Sequence, residues 1–168
     1  DYILERYVLI ASARKFRPRQ FKKEVEEKVE TCFFCPGNES MTPPEIGRTG
    51  GKQWKIRWFP NKFPAVSEEG QIELKTDNKF YTFANAYGKH EVIVETPDHN
   101  KQLWDLEDKE IKDVLVIYAQ RIKELSKVKG IKYVCLFKNH GKDAGTSIVH
   151  SHTQIIAYNK IPSLIKEE

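Results

Sequence analysis

Three hydrogen-bonding side chains alternate along one segment of the chain. His150, His152 and Gln154 are each separated by one residue, so in a β-strand they lie on one face while Ser151 and Thr153 point to the other. Burying three such groups in an apolar core costs free energy, whereas on a shared face they suit a binding or catalytic site. Taken alone, two histidines with this spacing are more often a metal pair or a surface feature than a nucleophile.

The loop before this segment is rich in small residues. Residues 139–147 read Asn-His-Gly-Lys-Asp-Ala-Gly-Thr-Ser, and such residues let backbone N–H groups approach an anion closely. The composition is compatible with a phosphate cradle beside the histidines, although glycine-containing loops are also common as simple turns. A phosphate-binding loop next to the histidines makes a nucleophilic role for one of them more probable than the spacing alone does.

A second group of reactive side chains is the pair Cys32 and Cys35. The Cys-x-x-Cys spacing lets two thiolates of one loop reach a single metal ion, and a tetrahedral site needs two further ligands, for which His99 and His150 are available. A thioredoxin-like redox pair is the alternative, but no parallel βαβ pattern follows. Zinc would also explain how the segment 31–51, rich in proline and glycine, is held in place. Cys135, inside an apolar strand, is predicted to be a core residue.

Short strands and one helix must position these groups. Between residues 105 and 127, apolar positions recur every three or four residues, as on one face of an amphipathic helix, and Gly130 ends it. Alternating or apolar runs predict strands at 7–11, 54–59, 72–75, 80–83, 90–95, 133–137 and 150–158. Most connections are too short for parallel crossovers, so the sequence predicts an α+β fold with a largely antiparallel sheet and one main helix.

Composition excludes several classes of protein. The chain has 168 residues, of which 39% are hydrophobic and 31% charged, so one domain is expected and disorder is not. No apolar run approaches the length of a membrane span, and the net charge of +4 is spread over a mixed surface, which does not favour nucleic acid. The lack of a secretion signal and the odd count of three cysteines favour the reducing cytoplasm. The missing initiator Met suggests a trimmed or partial chain.

Five segments resemble the galactose-1-phosphate uridylyltransferase family, a branch of the histidine-triad superfamily. They occur in the family's order and cover most of the chain: Cys32-Phe-Phe-Cys-Pro-Gly37, Phe59-Pro-Asn-Lys-Phe-Pro64, the stretch 88–99, the loop 139–147 and His150-Ser-His-Thr-Gln154. The resemblance implies a histidine-triad-like catalytic domain over residues 1–168, equivalent to the N-terminal half of the family's proteins, with the C-terminal half absent from this chain. It also implies a homodimer in the full-length protein.

The resemblance further implies a role for individual residues. His152 matches the family's nucleophile, which becomes uridylylated, and Gln154 matches the residue that hydrogen-bonds the phosphoryl group. The implied zinc ligands are Cys32, Cys35, His99 and His150, in agreement with the spacing argument, although iron is an alternative metal. The remaining substrate-binding positions are Arg14 and Arg17, which in the family come from the partner subunit, and Asn61, Lys62, Phe63, Asn139 and Ser147.

The implied reaction is nucleotidyl transfer between UDP-glucose and galactose 1-phosphate through a uridylyl-histidine intermediate, with nucleotide sugar and sugar 1-phosphate as substrates. Ser151 replaces the proline that the family's commonest signature has between the histidines, a variant also familiar in related enzymes acting on ADP-glucose or dinucleoside polyphosphates. One alternative is therefore a nucleoside diphosphate-sugar or dinucleoside polyphosphate phosphorylase or adenylyltransferase that uses the same histidine. Because the family's second half is missing, the other is a non-catalytic, zinc-stabilised nucleotide-binding module.

Overall fold

A computed structural model describes residues 8–11, 31–70, 74–76, 82–141 and 143–167. The strands are β1 (Gly47–Arg48), β2 (Arg57–Pro60), β3 (Leu74–Thr76), β4 (Thr82–Ala84), β5 (Gly88–Val94), β6 (Tyr133–Phe137) and β7 (His152–Tyr158). The helices are α1 (Asp108–Leu125) and α2 (Ser163–Glu167), and short 3-10 helices span Glu39–Met41 and Leu103–Asp105. Neither α-helix of this part of the chain combines the length and the apolar character that crossing a bilayer requires.

Five strands form one antiparallel sheet in the order β1-β2-β5-β7-β6, and β3 pairs with β4 separately. The long central strands β5 and β7 run antiparallel over seven residue pairs, from Gly88 opposite Tyr158 to Val94 opposite His152. The α+β fold with a largely antiparallel sheet and one main helix is therefore confirmed. Strand β7, which carries His152 and Gln154, is the last strand in the sequence, but in the sheet it lies between β5 and β6.

Among the predicted strands whose first residues the structure describes, two begin later than the sequence suggests. Residues 8–11, the described part of the strand predicted at 7–11, are not a strand. Residues 54–56 close a loop onto Thr49, whose backbone N–H donates to Ile56 O at 2.8 Å and whose carbonyl accepts from Lys55 N at 2.9 Å. The first bond continues the β1–β2 register, but the carbonyl of Thr49 bonds to Lys55 instead of Ile56, so the regular ladder ends there and β2 begins at Arg57. The strand predicted at 150–158 likewise begins at His152.

Helix α1 covers one face of the sheet, which we call the helix face. Its first turn is closed by a capping box: the side chain of Glu107 accepts a hydrogen bond from the backbone N–H of Glu110, and the side chain of Glu110 accepts one from the backbone N–H of Glu107. Its apolar stripe then packs on inward-pointing residues of the sheet, so burial of apolar surface holds the two layers together. The buried members of this core include Trp58, Ile93, Val114, Ile117, Leu125, Ile155 and Ala157.

The opposite face, which we call the reactive face, is covered by the cysteine loop, residues 31–38. A second apolar cluster joins this loop to the sheet and contains Cys32, Phe34, Trp54, Phe59, Val92 and Val94. Arg57 alternates with apolar residues in the sequence, yet its side chain is fully buried here. Its guanidinium lies over the rings of Trp54 and Phe59 and donates to Phe33 O at 3.3 Å. The buried cation thereby ties the cysteine loop to β2.

Candidate functional site

The start of β7 brings the predicted reactive groups to the reactive face. His152 and Gln154 lie opposite Val94 and Val92 of β5, whereas Thr153 points to the helix face. All three side chains are at least nine-tenths buried. The period-two alternation predicted from sequence is therefore present, and it separates the groups of the candidate site from those that lie beneath it.

Four side chains at the edge of this site form a compact cluster. Cys32, Cys35, His99 and His150 each offer one ligand atom, and all these atoms lie within 4.8 Å of one another. The Nδ1 atom of His150 is 3.6 Å from each cysteine Sγ, and His99 Nδ1 is 3.4 Å from Cys35 Sγ. Tetrahedral ligation with ordinary Zn–S and Zn–N bond lengths would place sulfur and nitrogen about 3.6 Å apart. The four residues therefore fit a tetrahedral metal site.

Interactions outside the cluster orient its ligands. His150 Nε2 lies 2.8 Å from the carbonyl oxygen of Thr96, which can only accept, so Nε2 carries the proton and the lone pair of the neutral ring is on Nδ1, facing the cluster. Burial lowers the pKa of His150, which favours the neutral ring. Burial, with Cys32 beside it, raises the pKa of Cys35 to about 11, so a metal ion would displace a thiol proton on binding.

The ring of His152 is fixed by the backbone of its neighbour. Its Nδ1 atom lies 2.8 Å from the carbonyl oxygen of His150, so Nδ1 carries the proton and the lone pair of the neutral imidazole is on Nε2. The edge of this ring meets Phe34, with 5.2 Å between ring centroids. Because His150 belongs to the four-residue cluster and its carbonyl accepts from His152, the cluster and the orientation of His152 are structurally linked.

The structure brings most of the other predicted site residues around His152. One cleft on the reactive face is lined by His152, Gln154, Asn61, Lys62, Phe63 and Ser147. Asn139 lines a neighbouring depression that shares His152 with the cleft. Arg14 and Arg17 lie outside the described residues, so the structure says nothing of their position.

A buried carboxylate on the helix face supports the same strand from below. Glu95 accepts hydrogen bonds from Ser151 Oγ at 2.5 Å, Tyr118 Oη at 2.5 Å, Lys138 Nζ at 2.7 Å and the hydroxyl of Thr153. Lys138 also donates to the carbonyl oxygen of His152 at 3.1 Å. We call Glu95 and its four donors, Tyr118, Lys138, Ser151 and Thr153, the carboxylate hub. Sequence reasoning missed Glu95 and Lys138. The strand register gives a signal for Glu95, because it ends with Val94 opposite His152 and the next backbone bond joins Glu95 N to the carbonyl of Ser151 at 3.4 Å.

Cys135 is only half-buried in the edge strand β6, so its prediction as a core residue is wrong. The β6 strand pairs with β7 alone and leaves its other edge without a strand partner among the described residues. An apolar sequence run therefore overstated the burial of this thiol.

Comparison with known proteins extends these observations. A family model described as galactose-1-phosphate uridyl transferase, N-terminal domain, matches residues 3–162. The chain is 34% identical to an ADP-glucose phosphorylase of Arabidopsis thaliana and 31% identical to a galactose-1-phosphate uridylyltransferase of Haemophilus influenzae, with 98% and 99% of the chain aligned to 49% and 48% of those proteins. It therefore spans about half the length of the curated relatives it matches.

Solved structures show the same relationship. A crystal structure of an ADP-glucose phosphorylase from Arabidopsis thaliana with bound ADP-glucose has a TM-score of 0.71 at 32% identity, covering 99% of this chain and 50% of that one. A histidine triad protein from Clostridium difficile shares the fold, with a TM-score of 0.51 at 22% identity over 82% of this chain and 98% of that one. Because the family model matches residues 3–162 of the 168 in this chain, the chain belongs to the galactose-1-phosphate uridyl transferase family and corresponds to that family's N-terminal domain.

Proposed function

We propose that this chain carries the nucleophile and much of the nucleotide site of a nucleotidyltransferase that moves a uridylyl group between UDP-glucose and galactose 1-phosphate. The observation that carries the proposal is the orientation of His152, whose Nδ1–H donates to a fixed carbonyl and whose lone pair is on Nε2. His152 shares one cleft with Gln154, Asn61, Phe63 and Ser147. A neutral imidazole in this state is a competent nucleophile.

In the first half-reaction, the Nε2 lone pair of His152 forms a bond to the α-phosphorus of UDP-glucose. The bond from that phosphorus to the bridging oxygen breaks, and glucose 1-phosphate leaves with the electron pair. The leaving group is an anionic phosphate, so no strong general acid is needed. The positive charge that develops on the ring is stabilised by the hydrogen bond from Nδ1–H to the carbonyl of His150.

In the second half-reaction, a phosphate oxygen of galactose 1-phosphate attacks the same phosphorus and the bond to Nε2 breaks, which restores neutral His152. In this scheme the donors to the phosphoryl oxygens are Gln154 and Ser147 in the cleft and the backbone N–H groups of residues 139–141, which line the neighbouring depression. Binding and charge stabilisation by these groups account for catalysis in this scheme.

We further propose that the cluster of Cys32, Cys35, His99 and His150 binds zinc. Two thiolates and two imidazoles suit this ion and fill all four positions, so the metal supplies structure rather than an activated water. These residues would hold the cysteine loop against β7 and fix the carbonyl of His150 on which His152 depends.

A second candidate reaction uses the same histidine with inorganic phosphate as the acceptor. Its support is the 34% identity to an ADP-glucose phosphorylase, which is close to the 31% identity to a galactose-1-phosphate uridylyltransferase, and it would use ADP-glucose in place of UDP-glucose. The two reactions differ in the nucleotide that labels the protein and in the acceptor that removes the label, so a single experiment separates them.

The test is to incubate the purified, zinc-loaded chain with UDP-glucose or ADP-glucose labelled at the α-phosphorus. We expect an acid-labile label on the wild-type protein and none on His152→Ala, with unchanged zinc content showing that the variant is folded. Release of the label by galactose 1-phosphate supports uridylyl transfer, and release by inorganic phosphate supports the phosphorylase. A label that survives in His152→Ala refutes the nucleophile, and an unlabelled wild-type chain that still binds nucleotide supports a non-catalytic binding module.

A further inference from the structure

We propose that His90 is a positioning residue that fixes the amide of Gln154, so that its NH2 group rather than its oxygen faces a phosphoryl group bound at His152. The inference rests on the proposed function. His90 lies on β5 opposite Ile156 of β7, and Gln154 lies two residues away along β7, so the two side chains are diagonal neighbours on the reactive face. Both are buried, at 4% and 3% exposure.

A backbone N–H group determines which ring nitrogen of His90 carries the proton. The N–H of Ala65 donates to His90 Nδ1 at 3.1 Å, and a backbone N–H can only donate. Nδ1 therefore carries the lone pair of the neutral ring, and Nε2 carries the proton. Since Nε2 lies 3.0 Å from Gln154 Oε1, His90 donates to that amide oxygen.

A second backbone N–H group determines the orientation of the Asn61 side-chain amide in the same way. The N–H of Phe63 donates to Asn61 Oδ1 at 2.9 Å, so the amide nitrogen of Asn61 points in the other direction. That nitrogen donates to Gln154 Oε1 at 3.2 Å and lies 3.2 Å from His90 Nε2, as expected for two donors that converge on one oxygen. Both lone pairs of Gln154 Oε1 are thereby used.

The converging donors determine which end of the Gln154 amide reaches the cleft. A flipped amide would place its NH2 group against the N–H groups of His90 and Asn61, leaving buried donors without acceptors. The stable orientation leaves the amide nitrogen of Gln154 as the end available to the cleft that it shares with His152. An N–H donor there stabilises the charge on the phosphoryl oxygens, whereas a carbonyl oxygen would repel it.

The kinetic test compares His90→Leu with the wild-type chain in the labelling experiment and repeats the substitution in a Gln154→Leu background. Loss of a donor to a developing oxyanion lowers rates by about 100-fold or more, and loss of its orientation should lower the labelling rate about tenfold or more. We expect this fall in rate with little change in KM. We also expect His90→Leu to cause almost no further fall once Gln154 is absent, because His90 acts through Gln154.

Two results would overturn the inference: a wild-type labelling rate in His90→Leu, or an equal fall in rate with and without Gln154. An unlabelled wild-type chain or a labelled His152→Ala variant would instead refute the proposed function, so the two failures are distinguishable. Histidine side-chain ¹⁵N spectra of the wild-type protein test the tautomer without any variant. They should show His90 protonated on Nε2, and protonation on Nδ1 would overturn the inference even if the variants fail to fold.

Discussion

Replacing Glu95 by Gln tests whether the carboxylate hub supports the reactive strand. The substitution keeps the shape of the side chain but removes the charge that Lys138 faces at 2.7 Å. The amide oxygen of Gln can still accept from Lys138, but its NH2 group then needs the hydroxyls of Tyr118 and Thr153, which donate to the carboxylate, to reverse and accept. Breaking a buried ion pair by removing one partner costs about 3–5 kcal/mol. Because the Lys138 side chain keeps 19% exposure, we expect a value near the lower limit.

A loss of about 3 kcal/mol in this size class corresponds to a fall of roughly 6–12 °C in Tm. The matched control is Glu68→Gln, the same substitution in an ion pair with Lys89 whose side chains are 64% and 35% exposed. Surface pairs of this kind contribute at most about 1 kcal/mol, so its Tm should change little. Urea unfolding and thermal scans of the zinc-loaded proteins measure both differences.

The pH dependence of the same comparison provides a second check. Burial raises the pKa of Glu95, but Lys138 and the hydroxyl donors outweigh it and hold the pKa below its ordinary value of 4.5. A carboxyl whose pKa is lower in the folded state adds stability above its unfolded pKa and loses it as the pH falls through the folded pKa. The difference between wild type and Glu95→Gln should be complete at neutral pH and shrink below about pH 4.5. A difference below about 1 kcal/mol at neutral pH, or one that does not change on acidification, would refute the reasoning.

Three further outcomes are expected. Elemental analysis should find one zinc ion per wild-type and Cys135→Ser chain and none per Cys32→Ser chain; equal zinc contents would contradict the cluster. Arg57→Lys should speed zinc loss to a chelator by about tenfold, since the guanidinium holds the cysteine loop, and an unchanged rate would argue against that role. Gly88→Ala should cost about 3 kcal/mol or more in urea unfolding because its Cβ would lie 1.9 Å from a carbonyl oxygen. The control Gly51→Ala has open space around its Cβ and should cost only about 1 kcal/mol; equal losses would refute the contact argument.

The parts of the site that could be predicted from sequence depend on short spacings. Alternation in a strand places His152 and Gln154 on one face whatever the rest of the fold does, and Cys-x-x-Cys brings two sulfurs together within one loop. The main helix was predictable for the same reason, because its apolar stripe repeats within each turn. His99 lies 51 residues before His150 and has no local pattern to mark it, so the residues alone named it only as an available ligand, and the resemblance to a known family assigned it that role.

The parts that could not be predicted depend on contacts between distant residues. Glu95 and Lys138 each directly follow a strand and look like ordinary solvent-facing charges until the sheet places them beside one another. Arg57 alternates with apolar residues as a half-exposed strand would, yet the cysteine loop covers it. In each case a buried charge is compensated by partners that sequence periodicity does not encode.

The reactive strand is held from both faces, and this explains why Ser151 is compatible with the site. On the reactive face, His150 belongs to the cluster with Cys32, Cys35 and His99, and its carbonyl orients His152. On the helix face, Ser151 donates to Glu95, and Lys138 binds both Ser151 Oγ and the carbonyl of His152. A proline at residue 151 would stiffen the backbone through its fixed φ but could make none of these side-chain bonds. In this chain the carboxylate hub therefore replaces the stiffness of proline with hydrogen bonds, and it connects the orientation of the candidate nucleophile to the core beneath helix α1.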